Sequence, residues 1–216
     1  MRDPHVEAVY FTVGSADDIS YKDPEPLAFP HHLGDFSLAD GVLKVIPTEH
    51  FCSGQEANQA IEGFLRSWEI EADLKQNFGM IRFTYSNADV IDRDPPPPGA
   101  QHVHVAGFAS GLAVSDFVTC HLTARRYPSP PACFSATEYA QYAYRRWIGY
   151  KKGQEPLLAT AYFILTLLER QGGGTRAEAC ALFNIDREVL NRLGSWCSER
   201  GSPLSARKAK ATDFEV

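Results

Sequence analysis

The feature that most constrains this chain is a reversal of charge that coincides with a change in hydrophobic period. Residues 1–138 hold 9 Lys and Arg against 19 Asp and Glu, a balance of −10. Residues 139–216 hold 12 against 8, a balance of +4, which restores the net −6 of the 216-residue chain. Near the same point, apolar residues stop alternating and begin to recur at three- and four-residue intervals. Such a coincidence marks two modules of different secondary structure. An acidic β-rich module is expected over 1–134, a helical module over 135–201 and a mobile tail over 202–216. The fold class is α+β, with an antiparallel β-rich half that carries one packed helix and a C-terminal segment of about four helices. A composition of 44% hydrophobic and 22% charged residues excludes collagen, coiled coil and wholesale disorder.

Within the first half, residues 5–13 are rich in Val, Tyr, Phe and Thr, and residues 41–47 follow an Asp40-Gly41 turn signal. Ile81, Phe83 and Tyr85 alternate with Arg82, Thr84 and Ser86, the period of a half-buried strand. Residues 102–106 and 116–124 resume strand character beyond the stiff Pro95–Pro98 run. One helix interrupts the strands. Ser53 and Glu56 form a capping-box pattern, and Ala57, Ala60, Ile61, Phe64, Leu65, Trp68 and Ala72 recur on one helical face that should lie on the sheet.

The second half reads as helices throughout. Ser135 and Glu138 suggest a cap for a helix whose inner face would be Tyr139, Tyr142, Ala143, Trp147 and Tyr150. Pro156 suits a first helical position. Residues 157–168 are apolar nearly all round, so that helix requires cover on several sides. Gly172, Gly173 and Gly174 end it, Thr175 and Glu178 open a short helix through Phe183, and Asp186 caps a last helix to Glu199.

Residues 175–193 resemble the helix-turn-helix of bacterial transcription factors. The likeness rests on small Ala179 in the first helix, the apolar pair Leu182 and Phe183 before the turn, Ile185 after it, and Leu190 and Leu193 on the second helix. Asn184 stands where such motifs usually place glycine. The resemblance implies a recognition helix that presents Arg187, Asn191, Arg192 and Arg200 to bases and phosphates. Glu188, Glu199 and the acidic first half oppose that use. An αα-hairpin that completes a helical core is the competing reading.

His102 and His104 share one face of an expected strand, and His121 could join them from the next. Three imidazoles suit zinc or iron. Sheet proteins of the cupin type follow such a pair with a glutamate, where this chain has Phe108 and Ala109. Glu49-His50 lies outside that strand pair. The Asp89, Asp92 and Asp94 cluster lacks the central glycine and terminal glutamate of a calcium loop. No dinucleotide, Walker A, nucleophile-elbow or H-E-x-x-H motif occurs.

The leading expectation is a non-catalytic binding or regulatory protein that acts through protein–protein contacts. Its basis is the lack of a complete catalytic constellation beside an excess of aromatics around residues 139–150. The alternatives are a DNA-binding regulator that uses the 175–200 hairpin and a metal-dependent enzyme built on His102, His104 and His121. No cofactor is expected, and self-association is open. The N-terminus lacks the basic start and apolar stretch of a secretory signal. The twelve-residue run 157–168 is shorter than the roughly 20 residues of a membrane span. With five cysteines and no C-x-x-C spacing, reduced thiols and a cytoplasmic location are expected.

Overall fold

The computed structural model describes residues 2–94 and 122–199. The chain forms two compact units, Met1–Ser135 and Ala136–Val216, and the architecture is of the α+β class. In the first unit, β1 (Pro4–Gly14), β2 (Ile19–Glu25), β3 (Leu27–His31), β4 (Gly34–Ala39) and β5 (Val42–Pro47) precede α1 (Gly54–Lys75), followed by β6 (Arg82–Asp92) and β7 (Leu122–Arg126). Five strands make one sheet in the order β3-β4-β5-β1-β6, with every pairing antiparallel. β2 and β7 pair in parallel as a separate ribbon.

Local chemistry explains much of this. Asp40 and Gly41 both adopt positive φ, 50° and 73°, as a tight hairpin turn between β4 and β5 requires. β1 sits between β5 and β6, so Val6, Ala8, Val9 and Phe11 are all buried. Two register shifts against β6, at Val6/Ala8 and Tyr10/Phe11, break strict alternation there. Pro30 lies in β3, at the sheet's edge, where a missing N–H costs no ladder bond.

α1 lays Ala57, Ile61, Leu65, Trp68 and Ala72 on Phe11, Phe36, Leu43 and Phe83 of the sheet and on Ile81 just before β6. Trp68 is fully buried, and its indole N–H donates to the Pro128 carbonyl at 3.1 Å. Two buried carboxylates pin α1 to the start of β6. Glu69 accepts from the Phe83 amide and from Arg66, and Asp73 accepts from the Gly79 amide and the Arg82 guanidinium. Each buried charge is thereby partnered.

Several expectations need correction. The expectations omit β2, β3 and β4: Pro24 and Pro30 interrupt β2 and β3, whereas in β4 buried Phe36 and Leu38 alternate with exposed Asp35 and Ser37 over only six residues. Ala60 is exposed, so the α1 stripe is narrower than its periodicity suggests. The Ser53 side chain does accept from the Glu56 amide, but the Glu56 carboxylate returns to the Cys52 N–H, one residue earlier than in a capping box. The expected strand at 102–106 and most of that at 116–124 lie outside the described residues, as does the expected tail at 202–216.

Candidate functional site

The second unit contains α2 (Glu138–Lys151), α3 (Leu157–Gly172), α4 (Arg176–Phe183) and α5 (Arg187–Glu199). Thr137, not Ser135, caps α2 by accepting from the Ala140 amide, because the chain turns helical two residues later than expected. Pro156 is the N-cap of α3, one residue before the expected position. Gly173 ends α3 at φ 116°, a left-handed geometry that suits glycine. Thr175 and Glu178 close a full capping box on α4.

α3 packs against α4 and α5 around buried Leu165, Ala179 and Leu190, with Leu168, Ile185 and Leu193 at the margin. A Cβ on Gly172 would collide with Ala179, so this pair of small residues lets α3 and α4 approach closely. Asn184 turns the chain in the left-handed region at φ 51° and ψ 44°. Asp186 then accepts from the Glu188 amide at 2.8 Å and starts α5. A pair of helices joined by a short turn, common to the helix-turn-helix and to the αα-hairpin, is present.

Its exposed face is mixed in charge. Arg187, Asn191 and Arg192 are exposed, and so is Glu188 between them. Asn191 Oδ1 already accepts from Arg176, which also pairs with Glu169 at 2.8 Å. The Arg192 guanidinium lies over the Trp196 ring, 5.4 Å from its centroid. Arg200 lies outside the described residues, as do His102, His104 and His121. Among the described residues no group of three or more His, Cys, Asp or Glu side chains is arranged to hold a metal.

The more prominent feature lies on another side of this unit. Two expectations fail together there. α2 buries only Gly149, and Tyr139 and Tyr142 of its supposed inner face are exposed. α3 buries only Thr160 and Leu165, although its sequence is apolar nearly all round. The space left between α2, α3 and the end of α4 is an apolar groove of about 530 Å³. Tyr139 and Ala143 form one wall, Ile164 and Leu167 the floor, and Leu182 and Phe183 the other wall. Leu182 is 62% exposed and Phe183 40%, so the apolar pair before the turn lines this groove and does not close a core. At its rim Glu138 accepts a hydrogen bond from the Tyr142 hydroxyl at 3.0 Å, which raises the Tyr142 pKa above its ordinary value.

The groove falls within the roughly 300–1,000 Å³ typical of ligand sites. By contrast, a polar pocket between α1 and the sheet, with Glu62, Arg66 and Tyr85 in its lining, holds only about 170 Å³. The excess of aromatics around residues 139–150 pointed to the Tyr139 wall of the groove, whereas nothing in the sequence marked Leu182 and Phe183 as uncovered. Comparison with known proteins gave no match: no protein family, no curated protein and no solved structure is similar to this chain.

Proposed function

We propose that this protein is a non-catalytic binding or regulatory protein whose helical unit receives an amphipathic helix of a partner protein in the α2–α3–α4 groove. The observation that carries this reading is the exposure of Tyr139, Leu182 and Phe183 around a groove floored by Ile164 and Leu167. Apolar residues at i, i+3 and i+4 of an incoming helix suit such a groove. Aromatic side chains at a surface are the residues most enriched in protein interfaces. The rim adds Thr137, Glu138 and Gln171, polar groups able to orient a helix without much charge.

A photo-crosslinking residue at Leu182 tests this in living cells, with Thr12 on the exposed side of β1 as the reference position. Crosslinks to one protein from position 182, absent from position 12 and lost on Ala143→Glu, are the expected result. Crosslinks between two copies of this chain would replace the foreign partner with self-association. Equal labelling from both positions would end the reading.

The second reading, a DNA-binding regulator, draws on the hairpin geometry with Arg187 and Arg192 exposed on α5. Its signature is affinity for random duplex that falls steeply with salt, as counterions are released. Arg187→Ala with Arg192→Ala should abolish that affinity without altering the fold.

A further inference from the structure

A side-chain cluster on the first unit has a chemistry unrelated to the groove. His5 on β1 and His50, in the connection between β5 and α1, bring their Nδ1 atoms to 2.9 Å. The ring planes are 2° from parallel and the centroids 5.0 Å apart. Nitrogens so close at that centroid separation place the rings side by side, not face to face. One Nδ1–H therefore donates to the lone pair of the other. On the far side of His50, the Cys52 sulfur lies 3.7 Å from Nε2.

The segment His50-Phe51-Cys52 explains the arrangement. Phe51 is buried, and its carbonyl accepts from the Val6 amide at 3.0 Å, which ties the segment to β1. Residues on either side of an inward side chain in extended backbone point outward together. His50 and Cys52 are accordingly both exposed, with His5 beside them.

We propose that Cys52 is a thiol-exchange site for low-molecular-weight disulfides, with His50 as its base and His5 as the positioning residue. His50 with its proton on Nδ1 donates to His5 and offers the Nε2 lone pair to the thiol. The Cys52 S–H proton passes to Nε2, and the thiolate attacks one sulfur of the disulfide. A new S–S bond forms as the old one breaks. The Nε2 proton then goes to the departing thiolate. Cys52 is oxidised to a mixed disulfide and the other half of the small disulfide is reduced to a thiol.

The surrounding charges bear on each partner. Desolvation foremost, then the positive charges of Arg93 and His50, lower the His5 pKa against the opposing pull of Asp3 and Glu7. His5 thus keeps a lone pair for the His50 proton near neutral pH. The Glu56 carboxylate accepts from the Cys52 N–H at 3.0 Å, and its charge opposes the thiolate. Other described cysteines differ: Cys197 is buried, with its thiol pKa raised by that burial, and Cys133 is exposed with no histidine hydrogen-bonded to it among the described residues.

The full chain treated with glutathione disulfide at pH 6.5, with each modified cysteine quantified by peptide mass spectrometry, tests the assignment. Cys133 serves as the internal reference. A thiol without a base is about 1% thiolate at that pH, and the lower nucleophilicity of a more acidic thiol offsets part of the gain. Cys52 should therefore react roughly fivefold faster than Cys133. His50→Gln should bring it down to the Cys133 rate and remove the low-pH shoulder from its pH–rate profile, and His5→Gln should shift that shoulder upward. Circular dichroism checks that both variants keep their fold. A Cys52 rate no greater than that of Cys133 in the unmodified chain, which needs no variant to fold, would overturn the proposal. So would a His50→Gln or His5→Gln variant whose rate and profile match the parent.

Discussion

The sheet unit and the helical unit solve the burial problem differently. In the first, one long helix presents five buried residues to a five-stranded sheet, and even two carboxylates go inside because each finds partners. In the second, three residues are fully buried within a small core, while the α2–α3–α4 groove stays open. A sheet offers a broad surface that a single amphipathic helix can cover. A short helix covers only a strip of its neighbour, and α4 has eight residues. The contrast is between a large core that one helix completes on a sheet and a small helical core beside an open apolar groove.

The largest test of that contrast lies in the sheet unit. Trp68→Ala should destabilise by about 3–5 kcal/mol in urea titration, since it removes a fully buried indole and orphans the Pro128 carbonyl. Leu190→Ala, in the smaller helical core, should cost about 2–3 kcal/mol, near the low end for leucine truncations because few neighbours surround it. A larger loss at Leu190 than at Trp68 would reverse the comparison.

A pH scan sharpens it. Tyr21 donates its hydroxyl proton to the Met80 carbonyl at 2.6 Å, and burial foremost, with Tyr127 nearby, pushes its pKa up to about 12. An acid whose folded pKa lies above its unfolded value of about 10 binds its proton more tightly in the folded state. Its contribution is fully present below about pH 10 and is lost as pH rises toward 12. Tyr21→Phe should flatten that alkaline decline, as followed by fluorescence-monitored unfolding. An unchanged slope would mean that the ribbon tyrosine does not titrate with folding.

The smallest effects are expected in the groove. Leu182→Asp and Phe183→Asp should each change stability by about 0.5 kcal/mol or less, as exposed positions do, while Phe183→Asp abolishes crosslinking from position 182. A loss above about 2 kcal/mol, the range of core truncations, would make them packing residues and close the groove as a site.

What the sequence determined by itself is local. The Asp40-Gly41 turn, the Ser53 cap, the Thr175–Glu178 capping box, the Asn184 turn and the span of α5 all depend on contacts within a few residues, and each was legible. The Ile61–Leu65–Trp68 stripe was equally plain, because one face of a helix and its 3.6-residue period are set before any partner is chosen. Strands β2, β3 and β4 were not, since a strand is completed by its neighbours: Pro24 and Pro30 hide the pattern of β2 and β3, and the alternation in β4 spans only six residues. Only the tertiary structure brought His5 to His50 across 45 residues and left Leu182 and Phe183 uncovered beside α2 and α3. Apolar residues declare that they will seek cover. Which of them find it is decided by how far the neighbouring elements reach once they have packed.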